Sequence, residues 1–485
     1  MRSGAECRPD LSKSEPDNPL SDISTHSQTA RTSDTPKVTV YVANHNYGRY
    51  VQQAIESVLS QTMTDFEVLV IDDGSNDGSR EVIERYIGHP QVYTVFQNNK
   101  GLTVTNNIAL RLARGQYIMR LDADDYLDPN ALLVLSGVLD RDEAAGLVFP
   151  DFHEVDVDGK IVRIVRRHDF AEINLLDQPA HGACTMVRRQ ILQELGGYDE
   201  AFNCQDGYDL WLRFLNKHKV RNVNLPLFYY RRHGSNLTRN EEHLLATRGE
   251  ILRKHADSKG SKLSCLAIVP VRGRRVDPYS IALRPLGGRP VIDWTLDAAL
   301  TAERVAGIIV TSPDQEVLTY VNEKYRGRVI ALHRDVRLAT INSFFDQTIA
   351  EALNHYTVDH PEPDALAVLA VEAPFRRAHH IDAGIDVLET FGTDRVISVR
   401  EETSHFFRHR GAGLEPLNSD RVLWLEAEGL FRDAGVLQVA RTEFFRKAGE
   451  FYGGRVGHLM VDQKSAHVIQ SAWDWEIACW EAGRL

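Results

Sequence analysis

No stretch of this 485-residue chain approaches the ~20 consecutive apolar residues that a membrane-crossing helix requires. Its first residues also lack the apolar core of a signal peptide. The five cysteines (Cys7, Cys184, Cys204, Cys265, Cys479) are scattered, odd in number and without a CxxC pair. That excludes a disulfide framework and a zinc ribbon, fits a reducing compartment, and sets the expectation of a cytoplasmic protein. Basic charge is in deficit: 56 Lys and Arg stand against 68 Asp and Glu, for a formal net charge of -12. Broad attraction to nucleic acid or to anionic lipid is therefore excluded, and an anionic ligand needs local basic groups or a metal. Residues 1–36, rich in Ser, Thr, Asp and Pro, hold hardly any large apolar groups and cannot offset chain entropy, so they read as a disordered tail.

What remains is ordinary globular material, 43% hydrophobic and 26% charged, and long enough for two or three domains. Order begins at "KVTVYVANHN", followed by "YVQQAIESVLSQT", in which Val51, Ile55, Val58 and Leu59 share one helical face. "FEVLVIDDGS", "VYTVFQNN" and "QYIMRLDADD" read as strands, and "SREVIERYIG" and "TVTNNIALRLARG" as the helices between them. Alternating strand and helix predicts a parallel sheet covered on both faces. A charged helix and a Lys/Ser/Gly linker occupy 241–262, and a second α/β pattern starts at "SCLAIVPVRG".

Polar residues recur at the ends of the early strands: Asn46, then Asp72 and Asp73, then Asp122, Asp124 and Asp125. Ligands of open α/β sheets bind outside the carboxyl ends of strands, so this recurrence points to a site. Three carboxylates in "YIMRLDADDYLDP" repel one another unless a cation arrives. A solvated Asp-rich turn before Pro129 is the competing reading. An Asp-x-Asp pair suits Mn2+ or Mg2+, hard cations that keep positions open for phosphate oxygens. "DDGSNDG" also has two readings: a base or ribose contact through Asp72 or Asp73, and a turn that caps the next helix through Ser75 or Asp77.

"VYVANHNYGRYVQQAIESVLSQTMTDFEVLVIDDGSNDGS", "NNKGLTVTNNIALRLARGQYIMRLDADDYLDP" and "QDGYDLWLRF", in that order, resemble the family-two glycosyltransferases of GT-A fold. The resemblance covers about Lys37 to Arg239 and implies transfer of a sugar from a nucleoside diphosphate donor with inversion. It implies that Asp73 contacts the base with Ala43 and His45 beside it, and that Asp122 serves both nucleotide and metal. Asp124 is then the more direct ligand of Mn2+ or Mg2+, and Asp125 orients the loop. Asp206 is the implied general base, with Asp209 either its competitor or a structural carboxylate. His181 falls on the acceptor side, and Arg231, Arg232 and His233 are either phosphate or acceptor contacts or a solvated basic loop. The chain departs from the family pattern at Ala43, usually Pro, at Asn106, usually Arg, and at Gln205, usually Glu.

"AIVPVRGRRVDPYSIALRPLGGRPVIDWTLDAAL" resembles the cytidylyltransferases that make CMP-activated acidic sugars, with weaker similarity to "WDWEIACW". Arg272 and Gly273 match, but the lysine positions read Val276, Ile281 and Ala282, and the late Asp pair reads Val468 and Gln470. Loss of cations and metal carboxylates together implies an inactive domain, one that serves self-association into a homodimer. Arg272, Arg274, Arg275, Arg284 and Arg289 form either an anion site or a solvated loop.

The whole reads as two Rossmann-like α/β nucleotide-binding domains: a tail (1–36), a GT-A domain (37–240), a helix and linker (241–262) and a nucleotidyltransferase-like domain (263–485). The expected activity is metal-dependent transfer from a nucleotide sugar to a glycan or lipid-linked acceptor in surface-polysaccharide assembly. No nucleic acid is expected as a partner, and contact with a membrane-bound acceptor would be peripheral. The alternatives are a bifunctional protein that also makes a CMP-activated sugar, and a non-catalytic scaffold.

Overall fold

The computed structural model describes residues 24–26, 35–166, 182–215, 217–234, 241–260, 262–339, 345–402, 404, 406–409, 411, 413–416 and 430–484. Two compact units form, and they do not follow chain order. Among the described residues, the first takes 24–26, 35–159, 182–203 and 219–231, and the second takes 160–166, 204–218 without 216, and everything from Arg232 onward. The expected division at 240 is thus corrected: the segment from Cys204 and the helix read as a linker both belong to the second unit. Side chains explain why. Arg248 Nε donates to Gln205 Oε1 (2.8 Å), and Lys254 and His255 both reach Asp209.

The first unit comprises β1 (Ser24–His26), β2 (Val38–Asn44), α1 (Val51–Leu59), β3 (Phe66–Asp73), α2 (Ser79–Glu84), β4 (Val92–Gln97) and α3 (Leu102–Leu112). It continues with β5 (Tyr117–Asp122), β6 (Tyr126–Leu127), α4 (Ala131–Arg141) and β7 (Ala145–Val155). After β8 (Ile161–Val165), which falls in the second unit, come β9 (Met186–Arg188), α5 (Arg189–Glu194) and β10 (Lys219–Arg231). Every residue of β3 is buried, as expected of an interior strand covered on both faces. On α1 the buried stripe is Val51, Ala54, Ile55 and Val58, the spacing of one helical face.

The strands run in the order β1-β4-β3-β2-β5-β9-β7-β10-β6. β4-β3-β2-β5 are mutually parallel and β10 lies parallel to β7, whereas β1, β9 and β6 enter antiparallel to their neighbours. The expected parallel sheet is therefore the core of a mixed one. Ser24–His26 pair with Thr94–Phe96, which corrects the expectation of disorder at those three residues. The chain moves from β2 to β3 and β4 on one side, then returns to β5 on the other. That reversal opens a crevice at the carboxyl end of β2.

The second unit contains α6 (Asp206–Leu215), α7 (Glu241–Ser258), β11 (Cys265–Pro270), a hairpin of β12 (Pro285–Leu286) and β13 (Arg289–Pro290), α8 (Val291–Thr301) and β14 (Val305–Ser312). Next are α9 (Gln315–Lys324), β15 (Ile330–His333), α10 (Phe345–Tyr356), β16 (Ala365–Val368), α11 (Ala378–Phe391), β17 (Arg395–Glu402), β18 (Phe407–His409) and β19 (Leu414–Pro416). The chain ends with β20 (Leu430–Arg441), α12 (Thr442–Ala448), β21 (Val456–Met460) and α13 (Ala472–Ala482). Its main sheet runs β15-β14-β11-β16-β20-β17-β21, with β20 antiparallel to both its neighbours.

Arg284, exposed, and Arg289, half-buried, each stack on an aromatic ring: their guanidinium groups lie 3.7 and 3.8 Å from the ring centres of Trp475 and Trp294. Trp294 and Trp475 in turn pack with Leu286, Val291, Phe375 and Ile469. Trp473 and Trp480 alone among the tryptophans of α13 are exposed.

His380, in the first turn of α11, is buried, and its Nδ1 accepts from Arg377 N (3.2 Å). Burial, then the neighbouring His379, push its pKa down to about 3, despite the opposing Asp462 charge. A histidine depressed in the folded state stabilises fully above its unfolded pKa of about 6.5 and loses that contribution as pH falls toward 3. Urea unfolding of the full chain at pH 7.5 and 4.5 should show this loss, and His380→Gln should flatten the slope between them.

Candidate active site

Strand register assembles the site before any side chain is considered. Ala43 pairs with Asp122 across β2 and β5, while Asn44 pairs with Asp72 and Asp73 with Gln97 on the other side. The carboxyl end of β2 thus lies between two carboxylate-bearing strand ends.

On the β3 side the carboxylates build the loops. Asp72 accepts from Asn44 Nδ2 (2.7 Å) and from the Ser75 hydroxyl. Ser75 Oγ also accepts from Asn46 N (2.9 Å), Asn46 Oδ1 from Asn76 N (2.8 Å), and Asp77 from Gly48 N (2.8 Å) and Ser79 N (3.1 Å). The loop after β2 is therefore laced to the "DDGSNDG" turn. Asp73, buried, accepts from Gln97 Nε2 (2.8 Å), Lys100 N (2.7 Å) and Gly101 N (2.8 Å). These donors place its charge at the N-terminus of α3, where the helix dipole favours an anion. They take three of the roughly four acceptor positions of a carboxylate, so holding the 98–101 loop is its main work here. Gly74 adopts φ +73°, and a Cβ there would come within 2.6 Å of Asn99 N, so the turn and that loop touch backbone to backbone. His45 is exposed at the rim and accepts from Asn99 Nδ2 (2.8 Å); Ala43 is half-buried beside it.

On the β5 side, Asp124 and Asp125 are buried and Asp122 is partly exposed. Asp125 N donates to Asp122 O (3.0 Å), so the DADD run closes into a turn that gathers the three side chains. Asp125 Oδ1 accepts from Arg231 N (2.9 Å), whereas its Oδ2 is buried without a hydrogen-bond partner. Burial, followed by the Asp124 and Asp122 charges, pushes the Asp125 carboxyl well above the usual range. The same three carboxylates, after burial, raise the phenol of Tyr47 far above its ordinary value, so Tyr47 stays a neutral donor beside them. Sequence reasoning passed over Tyr47; its position in "NHNYG", just after the first strand, was the signal.

Arg231 requires a correction. It is neither a phosphate contact nor part of a solvated loop, but is buried on β10. Its Nε donates to Asp124 O (2.9 Å), Nη1 to Asp156 O (3.3 Å) and Val157 O (3.1 Å), and Nη2 to Gln53 Oε1 (2.7 Å). With its donors on carbonyls and an amide, and Tyr50 and Tyr126 flanking it, the guanidinium clamps the Asp loop from behind. Arg232 is exposed and His233 partly buried, both in the second unit, and His181 lies outside the described residues.

Asp206 and Asp209, the two carboxylates in the first turn of α6, are both buried. Asp209 is 1% exposed and accepts from Arg213 Nε (2.8 Å), Lys254 Nζ (3.1 Å) and His255 Nε2 (3.1 Å). Burial alone would raise its pKa, but the His255 bond and the Arg213 and Lys254 charges hold it far below the usual range. So strongly stabilised an anion is a poor proton acceptor. Asp206 opens α6 directly after Gln205, whose φ of +58° turns the chain into the helix.

Among the described residues, no three His, Cys, Asp or Glu side chains form a group arranged to hold a metal by themselves, and no helix is long and apolar enough to cross a membrane.

Comparison with known proteins bears on the first unit. The sequence model of the family described as glycosyl transferase family 2 matches residues 39–196. A chondroitin synthase of Escherichia coli is 29% identical over 216 residues, which are 43% of this chain and 31% of that one. An uncharacterized glycosyltransferase of Methanocaldococcus jannaschii is 30% identical over 208 residues, 41% of this chain and 71% of the relative. The chain thus spans about a third of the chondroitin synthase and most of the shorter relative. Among solved structures, S. aureus TarS 1-349 in complex with UDP-GlcNAc aligns over 46% of this chain and 67% of that one, at 18% identity and a TM-score of 0.40.

Proposed function

Because the chain belongs to glycosyl transferase family 2, we propose that it moves a sugar from a nucleoside diphosphate donor to an acceptor hydroxyl, with inversion at the anomeric carbon, in surface-polysaccharide assembly. One observation carries this reading: the register that sets Asp122 beside Ala43, at the same β2 end where Asn44 meets Asp72. It supports a GT-A arrangement, with donor base and ribose between the β2 and β3 loops and diphosphate at the DADD turn. His45 and the Asp73-held 98–101 loop border the base. Tyr47 offers a neutral O–H beside the carboxylates.

Mn2+ or Mg2+ belongs to the same reading. The all-oxygen donor set and the partnerless buried Oδ2 of Asp125 fit a hard cation, and such ions take one or two carboxylates and complete their shell with substrate phosphates. Asp124, with Asp122, would hold it; when bound it supplies counter-charge for the departing diphosphate. Asp206 takes the proton of the acceptor hydroxyl as its oxygen bonds to the anomeric carbon and the bond to diphosphate breaks on the opposite face. The Asp209 enclosure supports this choice of base.

For 263–485 we propose a nucleotidyltransferase-like unit without synthetase chemistry, and self-association through it. Ala282 is buried, and Gln470 N donates to Asp474 at the cap of α13, so neither position presents a charge for a triphosphate. A cytoplasmic location, with peripheral contact to a lipid-linked or glycan acceptor, completes the proposal. Screening the full chain against UDP-, GDP-, dTDP- and CMP-sugars with Mn2+ should find one donor hydrolysed, and no pyrophosphate should be released from CTP with any acidic sugar. Hydrolysis of none would remove the transferase reading, and pyrophosphate release the synthetase-inactive one.

A further inference from the structure

Gln205, the residue before the proposed base, holds φ at +58°, the left-handed region that a residue with a side chain seldom adopts. Its carbonyl accepts from Tyr208 N (2.9 Å) and Asp209 N (3.3 Å), so α6 starts from it. A residue at that place normally lies in the extended region and turns its side chain back onto the helix. Gln205 does not: its Oε1 accepts from Arg248 Nε (2.8 Å), on α7. Strain of this kind persists only where the surroundings impose it, and it gathers at working sites.

The surroundings are one stretch of α7. Cys204 Sγ donates to Thr247 Oγ1 (3.3 Å), and the Arg248 guanidinium lies 5.1 Å from the Tyr208 ring centre. Consecutive residues of α7 thus hold consecutive residues at the entry to α6. Arg213 and Lys254 spend their charge on Asp209, whereas Arg248 spends its Nε on a neutral amide. With Asp209 pinned, the body of α6 cannot follow a change in Gln205. Any relaxation of that φ is taken up at Asp206, which sits between the two. Resting on the transferase reading, we propose that Arg248 is a positioning residue for the base. It keeps Gln205 left-handed and so fixes where Asp206 holds its carboxylate.

The test uses the full chain with Mn2+ and whichever of the UDP-, GDP-, dTDP- and CMP-sugars it hydrolyses. Single-turnover hydrolysis reads the chemical step, and calorimetry with UDP and GDP reads nucleotide affinity. Arg248→Met should slow the chemical step by about 10- to 100-fold, the scale of a misplaced catalytic group, and leave affinity as it is. Glycine adopts positive φ readily, so adding Gln205→Gly to Arg248→Met should restore most of the lost rate. A purely structural arginine would show no such rescue, since the double variant has lost both partners. Arg248→Lys, which keeps the charge but not the planar fork, should lose less, and it carries the same comparison if Arg248→Met does not fold. A double variant as slow as Arg248→Met overturns the proposal, as does a loss read in nucleotide affinity alone. A slow Asp206→Asn beside an Arg248→Met as fast as wild type overturns the inference and leaves the base assignment standing. An Asp206→Asn as fast as wild type removes that base, and hydrolysis of no donor removes the transferase reading; this inference falls with either.

Discussion

Asp124→Asn should abolish transfer, lowering turnover by about 100- to 1000-fold, the scale of losing one group that stabilises developing charge. The amide keeps the shape of a buried residue whose carbonyl receives Arg231 Nε, so the loop and its clamp stay in place. What is lost is the negative charge, and with it a direct hold on the cation. The melting temperature should hold or rise, because a like charge beside the buried Asp125 is removed. Donor hydrolysis with Mn2+ titrated from zero measures the effect. Turnover near wild type that still required metal would place the metal carboxylate elsewhere.

Asp206→Asn and Asp209→Asn should fail in opposite ways. The first should slow the chemical step by about 100-fold or more, as for a lost general base, while nucleotide binding and melting temperature hold. The second should destabilise the fold by about 2 kcal/mol, because Arg213, Lys254 and His255 lose the carboxylate they share. That figure sits below the range for fully buried pairs because Lys254 is 43% exposed. Single-turnover kinetics and urea unfolding of both variants separate the outcomes. A chemical defect confined to Asp209→Asn would exchange the two roles.

The alternation of buried β-branched runs with amphipathic helices made the parallel core legible, because interior strands show as unbroken apolar stretches. The DADD and DDGS clusters were legible because carboxylates at successive strand ends have no packing reason to recur. Arg231 was not, since "YYRRHGSN" reads as a basic loop until β10 pairs with β6 and β7 and buries the first arginine behind the Asp turn. Nor was the fate of Arg284 and Arg289, whose aromatic partners lie up to 191 positions away in the chain, between Arg284 and Trp475. Composition shows the charges of such residues; only tertiary packing shows what covers them. The misplaced boundary has the same origin. A helix as polar as "EEHLLATRGEILRKHADS" resembles a connector, yet Thr247, Ile251, Leu252 and Ala256 are buried.

That helix also determines how the protein can be taken apart. Its buried stripe and its two contacts to Asp209 make α7 a brace for α6, which lies more than two dozen residues earlier in the chain. Severing the polypeptide between Arg239 and Glu241 would leave the proposed base on a fragment without its brace, with Asp209 losing two of the three side chains that hydrogen-bond to it. Modular swapping of the N-terminal half onto other carriers, a natural strategy for transferases, would therefore need to carry residues 241–258 along with it.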